Sequence, residues 1–220
     1  MTRHTWSFSA LKTFETCPRK YHAEKVEKLY PFEETEQTLY GKEVHLAAEE
    51  YIRDGKPLPK GMEKFQKPLD SLNKIPGDKH CELKMALTTD RRSVGFFDKS
   101  VWVRGIADLV IVNGHRAWVV DYKTGSAKYP DKKQLELMAL MVFAHFPEVT
   151  TVKAALVFLL HDHVEKETYK RDQADTLWEK WDQKTDILDR AFEHDNWPPN
   201  PNGLCRKYCP VVTCEFNGRA

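Results

Sequence analysis

The hydrophobic positions of this chain repeat with two different periods. In the N-terminal part they recur at helical spacing, which predicts a short helix after Ser9 and helical segments over 19–26, 39–53 and 62–72. Gly55 stands where it can end the third of these helices, and Pro68 stands where it would kink the fourth. The first third of the chain is therefore predicted to be mainly helical.

The middle of the chain changes to segments rich in Val, Ile and Trp, which are typical of strands. We predict strands over 81–88, 101–112, 116–123, 154–160 and, at an edge, 164–169, with helices over 132–145 and 172–194. Asn113-Gly114 predicts a two-residue hairpin that would place Asp108 opposite Val119, within one diagonal of Asp121. The order strand, strand, helix, strand predicts a mixed sheet with at least one helix crossing it.

Composition and charge restrict the class of protein. The 220 residues are 41% hydrophobic and 30% charged, which indicates one soluble, folded domain over 1–220. No segment has the length of apolar sequence that a membrane helix needs, and the N-terminus is too polar for a secretory signal, so we expect a cytoplasmic protein. The net charge of +1 does not exclude nucleic-acid binding, because an acidic metal site would offset a basic rim.

Asp108, Asp121 and Lys123 are the strongest candidates for a chemical site. Asp108 is a lone carboxylate in the apolar segment VRGIADLVIV, so we expect a cation or hydrogen-bond donors beside it. Asp121 and Lys123 lie two residues apart at the end of a predicted strand and would point to the same side. Carboxylates bind the divalent cation that phosphodiester hydrolysis uses, and a lysine can orient the attacking water. A buried Asp–Lys ion pair would give the same pattern.

His45 and Glu82 add to this set without proving it. His45 lies beside the apolar stripe of the predicted helix 39–53, where a lone histidine is most often structural or exposed. Glu82 begins the first predicted central strand, where a solvent-facing charge is the ordinary interpretation. Each residue gains weight only from its place in a larger pattern.

Taken in order, these residues resemble the RecB-like branch of the PD-(D/E)XK nuclease superfamily. The matching segments are SFSALKTFETCPRKY near the N-terminus, Gly41 to His45, Glu82, GIAD ending in Asp108, VVDYKTG, and Gln134. The resemblance covers most of the chain. It implies a restriction-endonuclease-like α/β core with a mixed central sheet flanked by helices. One departure is Met138, which stands where the branch often has a tyrosine.

The resemblance also implies a role for each residue. His45, Asp108, Asp121 and the backbone carbonyl of Tyr122 would bind Mg²⁺ or Mn²⁺, and Glu82 would be an additional ligand. Lys123 would act on the attacking water or the transition state. Gln134 would contact the substrate or order the site. The implied activity is a metal-dependent DNA exonuclease that acts on single-stranded ends in recombination, repair or spacer acquisition.

Three of the five cysteines fall near the C-terminus, which indicates a metal or an iron–sulfur site rather than disulfides. The resemblance implies a 4Fe–4S cluster in a subdomain of 1–30 and 196–220, beside a core over about 40–195. Its ligands would be Cys17, Cys205, Cys209 and Cys214. Structural zinc and no metal remain alternatives, and Cys81 is interpreted as a small core residue.

A different class of function fits the same residues. The chain would then be a nucleic-acid-binding or assembly module that keeps the nuclease fold without cutting. Expected partners are DNA, single-stranded or with free ends, and proteins of recombination or CRISPR adaptation; no membrane partner is expected. Divalent metal bound at Asp108 and Asp121, together with cleavage, would distinguish the enzyme from the module.

Overall fold

The computed structural model describes residues 3–128, 130–161 and 163–218. The chain divides into two compact units, one formed by residues 34–178 and the other by residues 1–33 together with 179–220. Within the described residues, no helix is both long enough and apolar enough to cross a membrane.

A five-stranded sheet forms the centre of the unit 34–178. Its strands, in spatial and chain order, are β1 (Asp78–Leu87), β2 (Val103–Asn113), β3 (Arg116–Lys123), β4 (Thr151–Phe158) and β5 (His163–Lys170). Only β3 and β4 run parallel, and the other neighbouring pairs are antiparallel. A parallel pair needs a crossover, which the helix between β3 and β4 supplies. The predicted mixed sheet with a crossing helix is confirmed, and β5 lies at an edge as predicted.

The hairpin between β2 and β3 differs from the sequence prediction by one step. Asn113 pairs with Arg116, so the two central turn residues are Gly114 and His115 rather than Asn113 and Gly114. Gly114 has φ 56° and takes the first central position, where a type II′ turn places glycine. The prediction that Asp108 lies opposite Val119 is therefore wrong, because Val119 pairs with Val110.

Two helices cover one face of the sheet. They are α3 (Glu36–Asp54) and α4 (Gln66–Asn73), and a 3₁₀ turn at Glu63–Phe65 precedes α4. Thr35 caps α3, and Gly55 ends it in the left-handed conformation. The apolar side chains of these helices pack against strand residues in one buried cluster that includes Val44, Ala48, Phe65, Leu69, Leu109, Ile111 and Val120. Pro68 lies in the first turn of α4, where its missing N–H has no intrahelical partner to lose.

The crossover helix α5 (Lys133–His145) is buried along most of its length, which explains why its sequence is almost continuously apolar. A side chain on Gly105 of β2 would approach the Met138 methyl group to 2.7 Å. Met138 is therefore held in the core beside β2.

The unit formed by residues 1–33 and 179–220 combines helices with irregular segments. It contains α1 (Phe8–Thr16), α2 (Pro18–Tyr21), a π-helical turn at His22–Val26, and most of α6 (Ala174–Glu193). Ser7, rather than Ser9, caps α1, because its hydroxyl accepts from the Ala10 amide. Stacked rings hold the unit together, including Trp6 on Trp181 and His4 on Phe192.

Candidate active site

A cleft of about 610 Å³ opens in the unit 34–178 between α3, β1, β2 and the end of β3. Its lining includes His45, Glu82, Asp108 and Thr124. Gly41 lies one turn before His45 and lets α3 approach the end of β3, since a Cβ there would stand 3.2 Å from the Thr124 hydroxyl. Gly41 therefore permits the close approach of α3 to the end of β3, and this approach places the His45 side chain in the cleft.

His45, Glu82 and Asp108 bring one ligand atom each to within 4.8 Å of one another, which is a spacing suited to a metal ion. Asp108 is buried and its Oδ1 lies 3.3 Å from His45 Nδ1. The Tyr122 backbone N–H donates to the other oxygen of Asp108 at 2.6 Å. Glu82 has φ 49°, a left-handed conformation that is unusual for this residue type and interrupts the alternation of β1. That turn of the backbone brings the carboxylate into the cleft.

Asp121, Lys123 and Gln134 form a second, adjoining network. The Lys123 ammonium lies 2.6 Å from Asp121 Oδ2 and donates to the Gln134 side-chain oxygen at 3.0 Å. The Gln134 amide in turn donates to Asp121 Oδ1. Asp121 Oδ2 is buried and, despite the nearby ammonium, receives no hydrogen bond of suitable geometry. That oxygen retains lone pairs with which it can bind a cation.

The electrostatics of the cleft show an excess of negative charge. The pKa of Asp121 is raised to about 6, first by burial and then by the charge of Asp108, against the opposing effect of Lys123. Burial and Asp108 also raise the pKa of Glu82. Burial lowers the pKa of His45, but its hydrogen bond to Asp108 and the nearby carboxylates outweigh this and raise it overall. A bound divalent cation would relieve the repulsion among these carboxylates.

The tertiary structure thus brings all six predicted side chains into two adjoining groups within one unit. One step beyond the last recorded pair, Leu109 with Val120, the register places Asp108 opposite Asp121. The cleft is also lined by residues that were not predicted from the sequence, among them Glu49 and Thr124. Glu49 stands four residues after His45 in α3, so the helical period alone was sufficient to place it on the same side.

The four cysteines of the predicted cluster line one small cavity in the unit formed by the chain ends. Cys81 is a residue of β1 in the unit 34–178, where it packs against the buried cluster under α3. Backbone amides donate to two of the sulfurs, from Asn200 to Cys17 at 3.4 Å and from Asn202 to Cys205 at 3.3 Å. N–H donors to sulfur stabilise thiolates, which are the form of cysteine that binds metals.

Two further contacts organise this cavity. The Arg19 guanidinium donates to Cys214 Sγ at 3.8 Å, and the Asn217 amide donates to the carbonyls of Cys209 and Val211 at 3.1 and 2.9 Å. Burial raises the pKa of the Cys209 thiol. Among the described residues, His45, Glu82 and Asp108 are the group whose ligand atoms lie within 4.8 Å of one another, and the cysteine sulfurs form no group that close.

Comparison with known protein families gives a match to the PD-(D/E)XK nuclease superfamily over residues 5–214, which is most of the chain. No curated protein sequence matches the chain.

Two solved structures have the same fold. The protein named SSO0001 is 16% identical, with a TM-score of 0.50, and the match covers 99% of this chain and 89% of that one. A protein of Eubacterium rectale that carries the name "putative exonuclease" is 12% identical, with a TM-score of 0.54 and coverage of 93% and 86%. The predicted restriction-endonuclease-like fold, a mixed sheet flanked by helices, is confirmed by the sheet topology and the family match.

Proposed function

We propose that this chain, which belongs to the PD-(D/E)XK nuclease superfamily, is a DNA exonuclease that depends on Mg²⁺ or Mn²⁺ and acts on single-stranded ends. The observation that carries the proposal is the convergence of His45, Glu82 and Asp108 in one open cleft, with the Asp121–Lys123 pair next to them on the adjacent strand. The RecB-like branch, and a place in recombination, repair or spacer acquisition, are part of the same proposal.

The proposed metal ligands are His45, Asp108, Asp121 and the carbonyl of Tyr122, with Glu82 as an additional ligand. The donor set fits, since it offers mostly oxygen atoms, the buried Asp121 Oδ2 has no hydrogen bond, and the carboxylates repel one another. The single imidazole favours Mn²⁺ over Mg²⁺ in affinity. A bound divalent cation would neutralise phosphate charge and activate water.

Lys123 and Gln134 supply the remaining chemistry. An ammonium has three N–H groups: Lys123 donates one to Gln134, and a second faces Asp121 Oδ2 in an ion pair at 2.6 Å that lacks the geometry of a hydrogen bond. The third is available for the attacking water or for a phosphate oxygen that gains charge in the transition state. Gln134 contacts both Asp121 and Lys123, so its role is to keep the two at a fixed spacing.

The test of catalysis is the double variant Asp121→Ala, Lys123→Ala assayed on labelled single-stranded DNA with Mn²⁺. We expect no detectable cleavage, because the variant removes a metal ligand and the water-orienting ammonium. The chain offers a matched control in Asp54-Gly55-Lys56, an exposed Asp-x-Lys triplet at the end of α3. Asp54→Ala, Lys56→Ala should cleave like the wild type. Cleavage retained by the purified Asp121, Lys123 variant would falsify the assignment.

The preference for ends has its own test. Linear and circular single strands of the same sequence should differ, with the linear strand degraded and the circular strand left intact. Equal cutting of both would show an endonuclease.

We propose further that Cys17, Cys205, Cys209 and Cys214 hold a structural 4Fe–4S cluster, with zinc as the alternative occupant. The shared cavity and the N–H donors to three of the sulfurs support a thiolate-bound centre. Anaerobic purification with an absorbance spectrum and analysis of iron, sulfide and zinc distinguishes the two. Cys17→Ser should lose the bound metal and Cys81→Ser should keep it. Equal metal content in both variants would exclude the site.

A further inference from the structure

We propose that Lys84, Phe96, Phe97 and Arg104 form a platform that binds single-stranded DNA a few nucleotides from the phosphate being cleaved. The proposal rests on the proposed nuclease function, since it identifies how that same cleft would receive its substrate. We refer to these four residues as the β1–β2 platform.

The β1–β2 platform lies on the same side of the sheet as the cleft. Asp108 and Ile106 line the cleft together, so β2 directs these alternate residues towards it. Ala107, which lies between Ile106 and Asp108, is buried. Arg104 continues the series Asp108, Ile106 along β2 and is exposed. Lys84 of β1 pairs directly with Ile106 and is also exposed. The two cations therefore extend from the lining of the cleft along one side of the hairpin.

The two cations surround an aromatic pair. Phe96 and Phe97 pack edge to face with their centroids 5.1 Å apart. The Lys84 ammonium lies 6.0 Å from the centroid of each ring, and the Arg104 guanidinium lies 5.7 Å from that of Phe96. Phe97 nevertheless keeps 80% of its surface exposed, the largest exposed fraction among the large hydrophobic residues described. An exposed ring with a cation beside it, and a second cation beside its partner ring, can stack on a base while the cations pair with the adjoining phosphates.

The loop that carries the two rings is held in place. The Val94 amide donates to the Ala86 carbonyl at 3.0 Å, and the Trp102 amide donates to the Leu87 carbonyl at 2.8 Å, so both ends of the loop are fixed to β1. Asp98, the acidic residue next to Phe97, accepts from the amide and the hydroxyl of Ser100. A ring presented by a fixed loop loses little conformational entropy on binding.

The spacing suits a strand that ends in the cleft. Arg104 is four residues from Asp108, which is about 13 Å along a strand. That length is about four nucleotides at the duplex spacing of about 3.4 Å per phosphate, and fewer for a stretched single strand. A mononucleotide or dinucleotide held in the cleft would not reach the rings, whereas a longer strand would.

The test measures binding and does not need cleavage. Fluorescence anisotropy of labelled dT12 is measured in the Asp121→Asn background, which prevents degradation. Phe97→Ala should raise the dissociation constant for dT12 about tenfold, as expected for the loss of one stacked base. Phe97→Trp should restore it. The control is Phe32→Ala, which removes another exposed phenylalanine, 73% exposed, outside the platform.

Salt dependence separates the cations from the rings. For single strands each phosphate contact contributes about 0.7 to the slope of log affinity against log salt. Lys84→Ala, Arg104→Ala should therefore reduce the slope by about 1.4, whereas Phe97→Ala should leave it unchanged. The affinity for a duplex should not change in Phe97→Ala, because the bases of a duplex are already stacked on one another.

Cleavage by the otherwise wild-type enzyme provides a second readout. The ratio of kcat/KM for dT12 to that for a dinucleotide should fall about tenfold in Phe97→Ala. If the enzyme cleaves but Phe97→Ala changes neither this ratio nor dT12 affinity, the platform is overturned and the nuclease proposal stands. If no substrate is cleaved but dT12 affinity depends on Phe97, the nuclease proposal fails and the platform stands. Failure of the chain to bind dT12 overturns the platform.

Discussion

We propose metal sites in two regions of the molecule, and these regions hold the proposed ligands by different means. In the cleft, the carboxylates stand on paired strands, and Asp108 already accepts a hydrogen bond from the backbone of β3. In the cysteine cavity, three of the four thiols stand in a segment, residues 196–218, that forms neither helix nor strand. The cleft is ordered by the sheet, whereas the cavity is ordered by short turns and side-chain contacts.

This difference predicts whether removing a proposed ligand should mainly reduce catalysis or mainly reduce the stability of the fold. A strand keeps its place through its ladder of backbone hydrogen bonds, so removing a carboxylate should impair chemistry more than folding. Removing a buried charge from a repelling group can even stabilise the fold. A loop without a ladder depends on what crosslinks it, so removing a thiol should impair folding more than chemistry.

The largest expected effect tests the cleft. Asp108→Asn should reduce kcat/KM for DNA cleavage by at least about 10³, or about 4 kcal/mol, because the amide cannot neutralise a cation. The Asn oxygen can still accept from the Tyr122 amide, so the melting temperature should not fall. The control is Asp189→Asn, a buried aspartate of the other unit that accepts from the His4 amide at 2.9 Å. This control should lower the melting temperature and keep the cleavage rate of the folded fraction.

The next effect tests the cavity. Cys205→Ser should lower the melting temperature by about 10 °C, corresponding to about 3 kcal/mol for a chain of this length. Cys81→Ser, which lies outside the cavity, should lower it far less. Cleavage per folded molecule, measured at a temperature where both variants are folded, should be the same. A large loss of activity in Cys205→Ser without a loss of stability would contradict the comparison.

A smaller effect is expected for Gln134, which orients Asp121 and Lys123 but is not a proposed metal ligand. Gln134→Ala should reduce cleavage about 10- to 100-fold, the range found for residues that orient metal ligands. The loss should appear in kcat more than in KM, because Asp121 and Lys123 remain but lose the amide between them. The control is Gln173→Ala. Gln173 accepts from the Lys170 amide and is not one of the predicted site residues. Unchanged kinetics in Gln134→Ala would show that Asp121 and Lys123 position each other.

The smallest effect sharpens the description of the cysteine-containing unit. His4 stacks on Phe192 with centroids 3.8 Å apart, and its ring nitrogen lies 3.0 Å from an oxygen of Asp189. His4→Ala should cost about 1 kcal/mol, seen as a fall of about 3 °C in melting temperature. The exposed His194→Ala should cost nothing measurable. If His4→Ala lowers stability as much as Cys205→Ser, the thiols are not the main crosslink of this unit.

Sequence analysis predicted the elements better than the contacts between them. The periods of hydrophobic residues located all five strands and the crossover helix to within a few residues. The register of β2 with β3 was wrong because Asn113 remains in the strand and glycine takes the first turn position. A shift of the turn by one residue moves every cross-strand partner, and here it moved Asp121 from a diagonal neighbour of Asp108 to the position directly opposite. Local preferences decide between turn types by small energies, and the packing of the whole sheet overrides them.

The sequence by itself determined the kinds of atoms available: carboxylates, an imidazole and an ammonium in one order, and thiols at the two chain ends. Those choices are chemical and need no folding to be identified. Only the tertiary structure decided that Glu82 turns into the cleft through a left-handed backbone, and that Gln134 contacts Asp121 and Lys123 together. It alone placed Phe97 and its cations beside the cleft, because that proximity depends on cross-strand pairing and on the path of a loop, neither of which local sequence encodes.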